Sequence, residues 1–103
     1  MPKFDIKDIK GIIPALLTPF DKEENLDEKG LRGLIDRLIN EGAHGLYVAG
    51  STGEGFLMDI EERKRTVEIA MDEVRGRIPV IVHVGAISTK LSLELTHHAS
   101  DHK

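Results

Sequence analysis

The chain has 103 residues, of which 40% are hydrophobic, and its 14 Lys and Arg against 18 Asp and Glu give a formal net charge of -4. That balance suits one domain with a modest core and excludes a chain that is disordered by composition. With no cysteine, a disulfide framework and a thiolate metal site are excluded, and mild acidity with interspersed bases argues against nucleic acid or an anionic membrane as partner.

Met1 to Asp8 alternate in charge and form no apolar leader, and no later apolar run nears membrane-spanning length, so a cytoplasmic protein is expected. Gly11 to Phe20 is apolar but holds Pro14 and Pro19, which predicts a short first strand running into a loop. Asp21 to Asn25 is a solvated turn. Asp27 is placed to cap a helix in which Leu31, Leu34, Ile35, Leu38 and Ile39 recur at i, i+3, i+4, i+7 and i+8 and so share one face. Gly42 is the natural left-handed stop of that helix.

Leu46 to Ala49 is an apolar run with a β-branched and an aromatic member and glycine on either side, the pattern of a strand buried on both faces. It ends at Gly50-Ser51-Thr52-Gly53-Glu54-Gly55. Gly50, Gly53 and Gly55 are expected to take backbone conformations closed to other residues and to turn amides toward a ligand. Ser51 and Thr52 add two hydroxyls, and such a loop suits a small anion. The plainer alternative is that these glycines only turn the chain.

Asp59 and Glu62 have the spacing of a capping box, and Val67, Ala70, Met71 and Val74 mark the inner face of a second helix. Glu61, Glu62, Arg63, Lys64 and Arg65 are expected on its wet face. Gly76 closes this helix and Pro79 opens a third strand, Val80 to Gly85. Ser88 can cap a third helix from Thr89, with Leu91, Leu95 and Ala99 inward. Alternating strands and helices with short connections predict an α/β fold, a parallel sheet flanked by helices. The repeat of roughly 35 residues is shared by βα barrels and open doubly wound sheets, and periodicity does not choose between them.

Familiar catalytic signatures are absent from the loop. Ala49 stands where a nucleophile elbow needs glycine, Phe56 follows Gly55 where a phosphate loop needs lysine, and the glycine spacing is not the dinucleotide fingerprint. The run GLYVAGSTGEGF, the helix IEERKRTVEIA and the strand VIVHVG followed by AIST, with GIIPALLTPF before them, resemble the N-acetylneuraminate lyase and dihydrodipicolinate synthase family of class I aldolases. The likeness runs from Gly11 to about Ala99, and HVG-AIST is more similar to the lyase branch than to the synthase branch.

The resemblance implies the N-terminal portion, about three βα units, of a (β/α)8 TIM barrel. Residues 1–103 are then a partial barrel domain, truncated before the catalytic strands. It further implies that pyruvate, or a sialic acid that splits to pyruvate and N-acetylmannosamine, is held as a Schiff base on a lysine, with no cofactor and no metal. Ser51 and Thr52 would bind the 2-keto-acid carboxylate, supported by Gly50, Gly53 and Tyr47. The family's lysine and proton-transfer tyrosine belong to later strands. Lys3, Lys7, Lys10, Lys22, Lys29, Lys64, Lys90 and Lys103 all lie outside the apolar strands, so no imine-forming lysine is expected here. Tyr47 is the only tyrosine, and core packing is its ordinary role. His83 is expected to be a hydrogen-bonded core residue and Glu54 a structural one. His97, His98 and His102 include an i, i+4 pair suited to a helix-borne metal, but no carboxylate-rich pocket accompanies them, so none is expected.

Three functions follow: the carboxylate-binding part of a neuraminate-lyase-type enzyme, the same part of a synthase, or a non-catalytic chain that acts by oligomerising or docking on a partner. Relatives are commonly homotetramers.

Overall fold

Pro14 decides how the chain enters its sheet. In the computed structural model, which describes residues 4–103, Leu16 N–H donates to the Tyr47 carbonyl at 2.9 Å and Tyr47 N–H to the Pro14 carbonyl at 3.0 Å, a single parallel bridge centred on Ala15. The next rung toward the N-terminus would need an N–H on Pro14, which proline lacks. The predicted first strand is therefore one bridge, a correction to the expectation. Lys3 lies outside the described residues.

The regular elements are α1 (Glu28–Asn40), β1 (Leu46–Val48), α2 (Ile60–Val74), β2 (Val80–Val82) and α3 (Thr89–Asp101), with short 3-10 turns at Ile6–Asp8 and Gly55–Leu57. β1 and β2 run parallel, with Leu46 opposite Val80, Tyr47 opposite Ile81 and Val48 opposite Val82. The Ala15 bridge lies on the other side of β1, so the three chain segments sit side by side in sequence order. β2 is shorter than the predicted run to Gly85. One further bond, His83 N–H to the Val48 carbonyl at 3.0 Å, extends it, and then Ala49 turns to φ 61° and the ladder has no partner.

Each helix starts as its sequence dictates. Asp27 accepts from Gly30 N–H at 2.9 Å, Asp59 and Glu62 form the reciprocal capping box, and Ser88 accepts from Leu91 N–H at 3.2 Å. Caps of this kind contribute about 1 kcal/mol each. Gly42 takes φ 98° after α1 as expected, whereas α2 turns left-handed already at Arg75, φ 49°, one residue before Gly76.

The apolar faces then close the core. Leu31 and Ile35 of α1, Val67, Ile69, Ala70 and Val74 of α2, Leu46 and Val48 of β1, and Leu16, Ala49 and Met58 from the connections pack as one cluster. Leu34, Leu38 and Ile39 lie half-buried against it. α3 docks on α2 and buries Leu95. Among the described residues, β2 has no partner on its outer edge.

The expected wet face of α2 fails at Arg63. It is only 5% exposed, and its guanidinium donates to the carbonyls of Gly85 at 2.7 Å and His83 at 2.9 Å. A charge pattern cannot reveal this, because a buried arginine reads like a solvated one until acceptors converge on it.

Candidate functional site

The strand ends and the loop begins within one residue. Ala49 and Glu54, at φ 61° and 62°, take the left-handed conformations predicted for the glycines. The glycines serve a different purpose, close approach. A Cβ on Gly53 would stand 2.7 Å from the Leu16 carbonyl oxygen, one on Gly55 would collide with the Ala49 carbonyl, and one on Gly50 would enter the Tyr47 ring. Tyr47, half-buried, thus supports the loop as a wall behind Gly50.

Bonds from three directions hold this tight turn. Gly55 N–H donates to the Gly50 carbonyl at 2.9 Å and Glu54 N–H to the Ser51 carbonyl at 3.1 Å, closing the loop on itself. The buried Thr18 hydroxyl donates to the Gly53 carbonyl at 2.7 Å. Nδ1 of His83 lies 3.0 Å from the Ala49 carbonyl. A carbonyl can only accept, so Nδ1 carries the proton, and the tautomer follows from that partner. Arg63 Nη2, 3.4 Å from the same nitrogen, then contacts it without a hydrogen bond.

Ser51 and Thr52 are left exposed at the C-terminal end of β1. Among the described residues no acceptor takes the amides of Ser51, Thr52 or Gly53. The exposed part of the loop thus carries two hydroxyls and two unengaged amides, a set of donors suited to an anion. Thr52 borders an open hollow of about 540 Å³ with Leu17, Thr18, Pro19, Gly30, Leu34 and Glu54. Ser51 is not among its lining residues. Arg63 borders a separate hollow with Phe56, Met58, Ala86 and Leu91, the Phe56 ring centroid 6.0 Å from its Cζ. Burial pushes its pKa down, but a guanidinium stays charged at any ordinary pH, so it is a buried positive charge with no carboxylate partner among the described residues.

Thr18 and Arg63 are supports that sequence reasoning did not assign, whereas His83 is hydrogen-bonded as expected, half-buried and tied to the loop. Glu54 makes no side-chain cap bond, so its structural role is confined to its backbone. No described lysine is buried, and Lys64, the least exposed by its pairing with Glu94 at 2.6 Å, has its pKa raised, chiefly by that hydrogen bond. An imine-forming amine needs the opposite shift.

The dihydrodipicolinate synthetase family matches residues 8–102. The chain belongs to that family. Its relatives include the N-acetylneuraminate lyase of Citrobacter koseri, 46% identical over 93 residues that cover 90% of this chain and 31% of that one. The structure of CdNal from Clostridium difficile in complex with mannosamine superposes with a TM-score of 0.90 at 48% identity, covering 92% of this chain and 33% of that one. The Escherichia coli K12 prophage protein YagE, in complex with pyruvate, superposes at 0.89 with 38% identity, covering 91% of this chain and 32% of that one. This chain therefore spans about a third of the length of the relatives it matches. Its parallel α/β arrangement is the N-terminal portion of the family's (β/α)8 barrel, in which a loop following a strand faces the ligand-binding end.

Proposed function

We propose that the loop from Gly50 to Gly53 is the carboxylate-binding element of a pyruvate-dependent lyase of the N-acetylneuraminate lyase type. The observation that carries this reading is the pair of exposed residues Ser51 and Thr52 at the C-terminal end of β1, whose amides meet no acceptor among the described residues. Ser51 and Thr52 each donate a hydroxyl proton to a carboxylate oxygen, and the amides complete charge-assisted bonds to the same group. Gripping the carboxylate fixes the neighbouring keto carbon, so that an amine elsewhere in a longer chain attacks it from one direction. The part supplied by these 103 residues is binding and orientation. The pyruvate complex of YagE supports the choice of ligand, and the 46% identity to the Citrobacter koseri N-acetylneuraminate lyase, against 38% to YagE, supports the lyase branch.

Titration of the isotope-labelled chain with pyruvate tests this, read from amide resonances. Saturable shifts centred on Ser51, Thr52 and Gly53, lost in a Ser51→Ala, Thr52→Ala double variant, are the expected result. Shifts elsewhere with a silent loop would overturn it, as would a lysine adduct after borohydride treatment.

A further inference from the structure

On α2, Glu68 faces α3. Its Oε2 lies 2.8 Å from Nε2 of His98, and the ring of His102, one turn further along α3, stands with its centroid 4.2 Å from that of His98. One ligand atom from each of Glu68, His98 and His102 falls within 4.8 Å of the other two. The carboxylate that sequence reasoning did not find beside these histidines comes from the neighbouring helix, 30 residues away in the chain.

We propose that Glu68, His98 and His102 form a binding site for a borderline divalent cation of the zinc class, holding α3 to α2. Three features argue for it. Two imidazoles at i and i+4 project from one face of a helix, and a carboxylate completes a donor set that zinc accepts while leaving a position for water. The second feature is orientation, since His102 Nδ1 lies 2.8 Å from the His98 carbonyl. That bond places its proton on Nδ1 and leaves Nε2 as a free lone pair, the arrangement that fixes metal-ligating histidines. The third is preorganisation. The His98 side chain is 11% exposed and already paired with Glu68, so little freedom is lost when an ion replaces the proton they share. Zinc bonds of about 2.0–2.2 Å require ligand shifts of about an ångström, available to Glu68 and His102 at the surface. Arg65, 3.8 Å from the other oxygen of Glu68, is too distant to compete strongly.

Calorimetric titration of the chain with zinc chloride at neutral pH tests the site. One ion per chain and a raised melting temperature are expected, with no response to magnesium. Glu68→Gln and His102→Ala should each weaken binding at least tenfold with helix content unchanged by circular dichroism. His97→Ala, one residue off the cluster, should leave it intact. No saturable uptake would make the trio an interhelical ion pair and overturn the proposal. Equal losses in His97→Ala and His102→Ala, or the same uptake in urea, would do so too, because they mark unstructured histidine binding.

Discussion

His83 donates its Nδ1 proton to the carbonyl of Ala49 at 3.0 Å, so the strand that follows α2 grips the residue at which the preceding strand becomes the loop. Ala49 sits at φ 61° and buried, a conformation that costs a non-glycine residue about 1–2 kcal/mol unless its surroundings hold it. Replacing His83 by leucine keeps the volume but leaves that carbonyl without a donor. The expected loss is about 1–3 kcal/mol. His83→Asn, whose amide can donate from nearly the same place, should recover much of it. Urea denaturation of the two variants measures the difference, and amide exchange from Gly50 to Gly55 should quicken in the leucine variant alone.

Arg63 makes a sharper case. Its guanidinium satisfies the carbonyls of His83 and Gly85 at once, while Nε, buried, has no partner among the described residues. Removing the side chain strands two carbonyls and opens the space beneath Phe56. Arg63→Ala should therefore cost about 2–4 kcal/mol, from two lost bonds to a charged donor plus a cavity. Arg63→Lys should rescue little, because a single ammonium cannot span two acceptors that the planar fork reaches together. Unfolding midpoints of the three proteins decide it.

The difference between what was legible and what was not follows from locality. Asp27, Asp59 and Ser88 act on amides three residues away, and the inner faces of α1, α2 and α3 repeat every turn, so sequence alone places them. The exposed place of Ser51 and Thr52 at the end of β1 was legible because an apolar run that stops at glycines and hydroxyls marks where a strand gives way to a loop. Arg63 and Glu68 were not. Each looks like an ordinary helix-surface charge, and only partners 20 or more residues distant, His83 and His98, reveal its role. The glycines were found for the wrong reason, since crowding by Leu16, Ala49 and Tyr47 is a tertiary fact that no local pattern carries.

Glycine substitutions separate crowding from conformational freedom. A methyl on Gly55 meets the Ala49 backbone, which cannot yield without moving β1, so Gly55→Ala should destabilise by about 1–3 kcal/mol. Gly33, exposed within α1, has nothing within 4 Å of a Cβ, and Gly33→Ala should stabilise by about 0.5–1 kcal/mol. Gly30 in the same helix should not share that gain, because its Cβ would stand 2.6 Å from the capping carboxylate of Asp27. Thermal denaturation of the three alanine variants gives the order directly: Gly33→Ala highest, Gly55→Ala lowest.

Acid should loosen the seam between α1 and α2 in a predictable direction. Glu28 lies 3.0 Å from Arg32 and 2.6 Å from Arg65, and those hydrogen bonds, Arg32 first, hold its carboxyl below the ordinary glutamate range. Asp36 is likewise depressed, chiefly by Arg77 at 2.7 Å. A carboxyl whose pKa is lower folded than unfolded contributes its stability above the unfolded value and loses it as pH falls through the folded one. The acid limb of the stability profile should thus begin just below pH 4.5, the ordinary value for Glu28. Glu28→Gln should flatten that limb and leave the neutral plateau slightly lower. Because these pairs are solvent-exposed, molar salt should shrink the difference between the two proteins. A variant profile parallel to the parent's across the acid range would show that Glu28 has the same pKa in both states and that the seam is held by α1 and α2 packing alone.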